Sequence, residues 1–290
     1  MTTTILRDNL HRVMKLAMDT GEARTLEEAT AIFQRYAVAI EVGPDVGQSP
    51  ALQAALLTAV NAGRRTFLGG VQVAGDLDAP LLVPWRHTNT LGEAVIDLQG
   101  SVTESLTPGV PRIVIGDAGL RPGLGDFAMR AMCNGWSGGV VPLASGRRLP
   151  EQCFAPAGVL AGALAISEAF QFLRGDNPEA GRRAVGMSLW SPDADVSWLN
   201  ADPGPAVSSL PAKVWLIGLG HLGQAYLWTI GLLPYARPAE VTLVLQDIDD
   251  LCEANDSTSL LTTLAHTGKK KTRAMAAWCE ERGFRAAILE

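Results

Sequence analysis

The chain predicts an α/β fold, with two parallel-sheet domains following one another along the sequence. Three observations carry this. Apolar strand-like runs alternate with Ala/Leu-rich helical stretches, a glycine-bearing turn lies between strand and helix in two places, and a loop-rich stretch separates those two places. Composition agrees, because 47% of the 290 residues are hydrophobic and only 19% are charged, which excludes a disordered chain.

Residues 5–19 place apolar side chains at helical spacing, and Thr25 with Glu28 forms a capping-box pattern before a second helix. Residues 1–40 are therefore expected as a helical leader. "YAVAIEVGPDVGQSPALQAALLTAVNAGRRTFLGGVQV" then reads as strand, turn, helix and strand, one βαβ unit. "PLLVP", "LGEAVIDLQG", "PRIVIGDAG" and "GGVVPL" continue the alternation, and "APAGVLAGALAISEAFQFLRG" closes it as a helix. Residues 41–190 are thus expected as one α/β domain. The stretch 191–211 concentrates Pro, Asp, Ser and Gly, the composition of a linker. Beyond it, "KVWLIG" reads as a buried strand, "HLGQAYLWTIGLL" as a helix stopped by Pro234, and "EVTLVLQD" as the next strand. The two βαβ units suggest a repeat, since Gly47-Gln48 and Gly223-Gln224 both stand at the start of an apolar helix. The first copy is degenerate: Gly43 and Gly47 are four residues apart, and its second strand ends without an acidic residue.

A net charge of -6 gives no long-range attraction for nucleic acid or anionic lipid; the basic residues cluster only at Lys269, Lys270, Lys271 and Arg273. The stretch "CFAPAGVLAGALAIS" is too short for a bilayer, and the charged N-terminus lacks a signal-like apolar core, so a cytoplasmic site is expected. Four scattered cysteines have no metal spacing and read as free thiols.

Chemistry concentrates at "VWLIGLGHLGQAYLW". Gly218, Gly220 and Gly223 have the GxGxxG spacing between strand and helix, where backbone amides approach an anion and the helix N-terminus adds partial positive charge. Asp247, 24 residues after Gly223, ends the next strand, where a carboxylate accepts the ribose hydroxyls of a nucleotide. To this point an NAD-dependent oxidoreductase fits equally well.

The following stretch, "LQDIDDLCEANDSTSLLTTLAHTGKKKTRAMAAW", adds Asp249, Asn255 and Lys271 at fixed offsets. With these landmarks residues 212–290 resemble the ThiF/MoeB family of adenylating enzymes, to which ubiquitin-activating enzymes belong. The family carries a glycine loop, a D-x-D pair, an Asn and then a lysine at the start of a helix. The resemblance implies a Rossmann-like ThiF-type domain, here its front part. It also implies ATP with Mg²⁺ as cofactors, and an adenylyltransferase acting on the C-terminal carboxylate of a small ubiquitin-like or sulfur-carrier protein. Lys271 and Asn255 would be the catalytic contacts to phosphate, with Gly218, Gly220, Gly223, Asp247 and Asp249 binding the nucleotide. Attack of a carboxylate on the α-phosphate builds charge that such donors stabilise. The closing helix of residues 41–190 is similar to that of a ThiF-type domain, implying a degenerate adenylation-like half and a pairing of two such domains within one chain or in a homodimer. Thr258 stands where the family usually has a phosphate-binding arginine, and the family's metal aspartate has no match here; a catalytically silent nucleotide-binding scaffold is the further alternative.

Ser137 in "GWSGG" formally matches GxSxG but lacks the strand-before, helix-after context and reads as a glycine turn. His87 and His266 read as surface or loop residues, His221 as packing or a weak contact, and Cys252 has no assigned role.

Overall fold

The computed structural model describes residues 10–85, 87–119, 126–149, 153–193 and 195–290. Contacts divide the chain into two units, one formed by residues 35–207 and the other by residues 1–34 with 208–290.

In the first unit, β1 (Val38–Val42), β2 (Val71–Gly75), β3 (Ser101–Val102), β4 (Arg112–Ile115), β5 (Ala128–Asn134), β6 (Ser137–Pro142) and β7 (Val185–Ser188) form one sheet of order β3-β2-β1-β4-β5-β6-β7. Its first five strands in that order run parallel, while β6 is antiparallel to β5 and to β7. Helix α3 (Pro50–Thr66) follows β1; Ser49 accepts the Leu52 N–H at 3.3 Å, and Pro50 occupies the first helical position, where a missing donor costs nothing. Helix α4 (Leu91–Asp97) opens with a capping box between Thr90 and Glu93. Helix α5 (Ala155–Arg174) ends at Gly175 in the left-handed conformation. Gly158 and Gly162 of α5 face α3 so closely that a Cβ would run into the carbonyl oxygens of Ala51 and Ala55. The two helices bury Leu52, Leu56, Ala161 and Ile166 in one core with Ile40, Val73, Ile113 and Met129 of the sheet. By length and composition α5 alone among the described helices could cross a membrane; its 20 residues exceed the apolar stretch read from sequence, and its small-residue face lies on α3.

In the second unit, α1 (Arg12–Asp19) and α2 (Leu26–Phe33) pack together, and the Arg12 N–H donates to Ser257 Oγ at 3.1 Å. The expected leader is therefore not a separate element: its described helices belong with residues 208–290, and its last residues begin β1 of the first unit. The part expected over residues 5–9 lies outside the described residues. The strands β8 (Lys213–Ile217), β9 (Thr242–Gln246) and β10 (Arg285–Leu289) form a parallel sheet of order β10-β9-β8, with α6 (His221–Gly231) after β8 and α7 (Lys271–Glu281) before β10. A Cβ on Gly231 would meet the Trp278 ring, so α6 and α7 touch there, and α7 packs on β9 and β10. Leu216, Leu243 and Leu245 are buried, but β8 is not the buried strand expected: Trp215 is 59% and Ile217 73% exposed, because they lie on the opposite face.

Two further expectations change. Residues 191–207 are not a free linker: Trp198 is buried against Met132 and Val141, and Trp136 donates its N–H to the Pro203 carbonyl and its Nε1–H to the Pro205 carbonyl, both at 2.8 Å. The two units place their parallel strands in a like order, but not in the register that pairs Gly47-Gln48 with Gly223-Gln224. Counted from the caps at Ser49 and Gly220, Gln53 matches Gln224, and Leu52 matches Gly223.

Candidate functional site

The chain leaves β8 at Ile217 and turns through Gly218, Leu219 and Gly220 into α6. Gly218 has φ +89°, a left-handed conformation that side chains disfavour. A Cβ on Gly218 or Gly220 would meet nothing within 4 Å, whereas one on Gly223 would run into the Gly218 carbonyl oxygen. Gly223 thus lets the first turn of α6 close on the loop, while the space above Gly218 and Gly220 stays open. Gly220 is the N-cap and supplies no capping side chain, so the amides at the positive end of α6 are presented toward that space.

Leu219, fully buried, is the fixed point of the turn. Its N–H donates to Asp247 Oδ2 at 2.6 Å, and its carbonyl accepts Gln224 Nε2–H at 3.1 Å. Gln224 is itself fully buried, and its Oε1 accepts the Leu261 N–H and the Thr262 hydroxyl, each at 3.0 Å. The sequence marked this glutamine only as half of a Gly-Gln repeat and gave it no part in the site. A polar side chain four residues into an otherwise apolar helix was the available signal.

Asp247 follows β9 directly, and its Oδ1 accepts the Asp249 N–H at 2.9 Å. Lys271 at the start of α7 places Nζ 2.7 Å from Asp249 Oδ2 and 3.9 Å from Asp247 Oδ2. The lysine side chain is 11% exposed, that of Asp247 9% and that of Asp249 63%. Backbone bonds explain why residues so distant in sequence meet: Gly268 N–H to Leu251 O, Leu251 N–H to Lys269 O and Lys271 N–H to Asp249 O lace the two stretches together. The hydrogen bond from Lys271, then its charge and that of Lys270, holds the Asp249 carboxyl below its ordinary range.

The structure therefore joins Gly218, Gly220, Gly223, Asp247, Asp249 and Lys271 in one cluster. Asn255 it uses differently. The Asn255 Oδ1 accepts the Cys252 N–H at 2.9 Å and the Cys252 thiol at 3.3 Å, capping its own turn rather than reaching the cluster through that atom. Lys270 bonds the Ile248 carbonyl and Asp250, and Arg273 forms a two-pronged pair with Glu290. Ser137 lies in the β5–β6 hairpin, buried, with no helix following; His87 and His221 are exposed, and His266 Nδ1 accepts the Thr263 N–H in its own turn.

The corresponding turn of the first unit is filled. Asp45 Oδ1 accepts the Asp117 N–H at 2.6 Å, and a Cβ on Gly43 or Gly116 would run into that neighbourhood. The carboxylate stands between the ends of β1 and β4, where the strand order changes direction and an open α/β sheet otherwise receives a ligand. Beside it, Asp45, Gln48, Asn134, Trp136 and Phe154 line a cleft of about 720 Å³ that contains no basic side chain.

Residues 37–189 match the model of the BilD N-terminal domain and residues 210–290 that of the BilD C-terminal domain. A relative described as "Bacterial E1-like protein BilD", from Collimonas sp. (strain OK412), is 42% identical over 292 residues; the match covers 100% of this chain and 63% of the relative, so the chain spans less than two thirds of that protein's length. Two solved structures of E. coli MccB, one with AMPCPP and MccA and one with succinimide, align with TM-scores of 0.36 and 0.35 at 13% identity, over 55% of this chain and 62% of theirs. With both domain models matched in order, and the first spanning more than half of its residues, the chain belongs to the BilD family.

Proposed function

We propose that the second unit binds ATP above the Gly218–Gly223 turn and serves adenylation of the C-terminal carboxylate of a small ubiquitin-like or sulfur-carrier protein, as in the ThiF/MoeB enzymes it resembles. The observation that carries this reading is the convergence of Lys271 with Asp247 beside an open glycine turn whose helix amides have no capping side chain. The E1-like description of the related BilD protein supports it.

In that reaction a carboxylate oxygen attacks the α-phosphorus, the bond to the bridging oxygen breaks and pyrophosphate leaves. The amides of α6 and the Lys271 ammonium would stabilise the phosphate charge, and Asp247 would retain lone pairs for the ribose beyond those used by Leu219 and Asp249. Bound Mg²⁺ supplies charge neutralisation between phosphate oxygens. Such a step belongs in the cytoplasm, where ATP is available and the four cysteines remain thiols. The first unit, its crevice filled by Asp45, is the nucleotide-silent half.

A scaffold reading has its own observation: Asn255 caps its own turn and Thr258 offers no guanidinium. A nicotinamide enzyme would need no lysine at Asp247. Thermal shift with ATP and Mg²⁺ against NAD and NADP separates the readings, since a ligand at 100 times its dissociation constant stabilises by about 2.7 kcal/mol. ATP-selective stabilisation supports nucleotide binding, and pyrophosphate exchange with a carrier protein then separates an enzyme from a scaffold.

A further inference from the structure

Lys271 already has a partner. Its ammonium lies 2.7 Å from a carboxylate oxygen of Asp249, a residue whose side chain is mostly in solvent, while the lysine itself is nearly enclosed. Asp247 is engaged differently, because both of its oxygens hold backbone amides that fix the turn. We propose that Asp249 is an internal surrogate for the nucleotide's phosphate: it holds Lys271 in place beside the glycine turn and is displaced when an anionic ligand takes the ammonium. This rests on the nucleotide-binding reading and adds a regulatory element to it.

The physical argument is one of competition. An ammonium enclosed to this degree is costly to leave unpaired, so a carboxylate on a nearby exposed loop keeps it aimed while the site awaits a ligand. A polyphosphate offers the same ammonium more charge and more acceptor oxygens. Exposure of Asp249 makes the exchange cheap, since the freed carboxylate returns to water. Asp249 therefore positions the lysine and at the same time lowers apparent affinity by occupying it. The neighbouring pair of Lys270 with Asp250, at 3.0 Å, has similar charge yet lacks the contact to Asp247, and it serves as an internal control.

The test is a double-mutant cycle read by calorimetric binding of ATP with Mg²⁺ and, separately, of inorganic tripolyphosphate. Asp249→Asn should tighten both ligands about two- to five-fold, the range set by an exposed ion pair. In the Lys271→Ala background the same change should have no effect, and Asp250→Asn should change binding less than Asp249→Asn does. Tightening that persists without Lys271, or an equal gain from Asp250→Asn, would show general charge relief and overturn the surrogate role while leaving the nucleotide site standing. Weaker binding in Asp249→Asn would assign the aspartate to the bound state instead and also overturn it. Absence of binding by either ligand in every variant overturns both this role and the nucleotide reading.

Discussion

The two glycine turns of this chain have the same strand order beside them, β3-β2-β1 in one unit and β10-β9-β8 in the other, and a fully buried glutamine at the same helical position. Gln53 bonds the Pro80 carbonyl and the Leu82 N–H; Gln224 bonds the Leu219 carbonyl, the Leu261 N–H and the Thr262 hydroxyl. What differs is the space above the turn. In the first unit Ser49 caps the helix, Pro50 removes an amide and the Asp45 carboxylate fills the crevice; in the second, a glycine cap leaves the amides presented and the acidic residue is withdrawn to the end of β9. Shared topology builds a crevice, and a few side chains decide whether an anion can enter it.

The largest expected effect breaks the second turn alone. Gly223→Val drives a side chain into the Gly218 carbonyl, so unfolding experiments should show a loss of about 3 kcal/mol or more, together with loss of nucleotide binding. The matching position in the first unit already holds Leu52. Next, Gln224→Leu should cost about 2–3 kcal/mol by orphaning the buried backbone groups of Leu219 and Leu261, and Gln53→Leu less, because its partners at Pro80 and Leu82 can turn to water. Only Gln224→Leu should also weaken ATP binding, because only Gln224 bonds the open turn itself. Lys271→Ala should weaken ATP by about ten-fold or more, in the range of a lost charged hydrogen bond.

Turn spacing and the D-x-D-to-lysine offsets were legible in the sequence because they are local patterns, and the backbone bonds between residues 249–251 and 268–271 convert them into proximity. The bonding of Asn255 was not legible, since the same residue type serves phosphate contact and turn capping equally well. Residues 191–207 looked like a linker by composition, yet their order comes from Trp136 and from the seat of Trp198, contacts remote in sequence. Trp215 and Ile217 looked buried because an apolar strand does not declare which of its faces is covered.

Two smaller effects sharpen the comparison. The Asp249 carboxyl sits below its unfolded range, so its pairing contributes stability above the ordinary carboxylate pKa and is lost as pH falls through the depressed value. An NMR titration should show Asp249 titrating below Asp249 in the Lys271→Ala variant. Thiol labelling of the native protein should modify exposed Cys252 first, whereas Cys279, buried in α7 and pushed up to about 12 by that burial, should react only on unfolding.

The most direct measurement is a calorimetric titration of ATP with Mg²⁺ into the chain and into its Lys271→Ala and Asp45→Asn variants. One site per chain is expected, weakened about ten-fold or more by Lys271→Ala and unchanged by Asp45→Asn. Two sites per chain, ATP affinity undiminished in Lys271→Ala, or NAD binding as tightly as ATP would contradict a single adenine-nucleotide site above the Gly218–Gly223 turn.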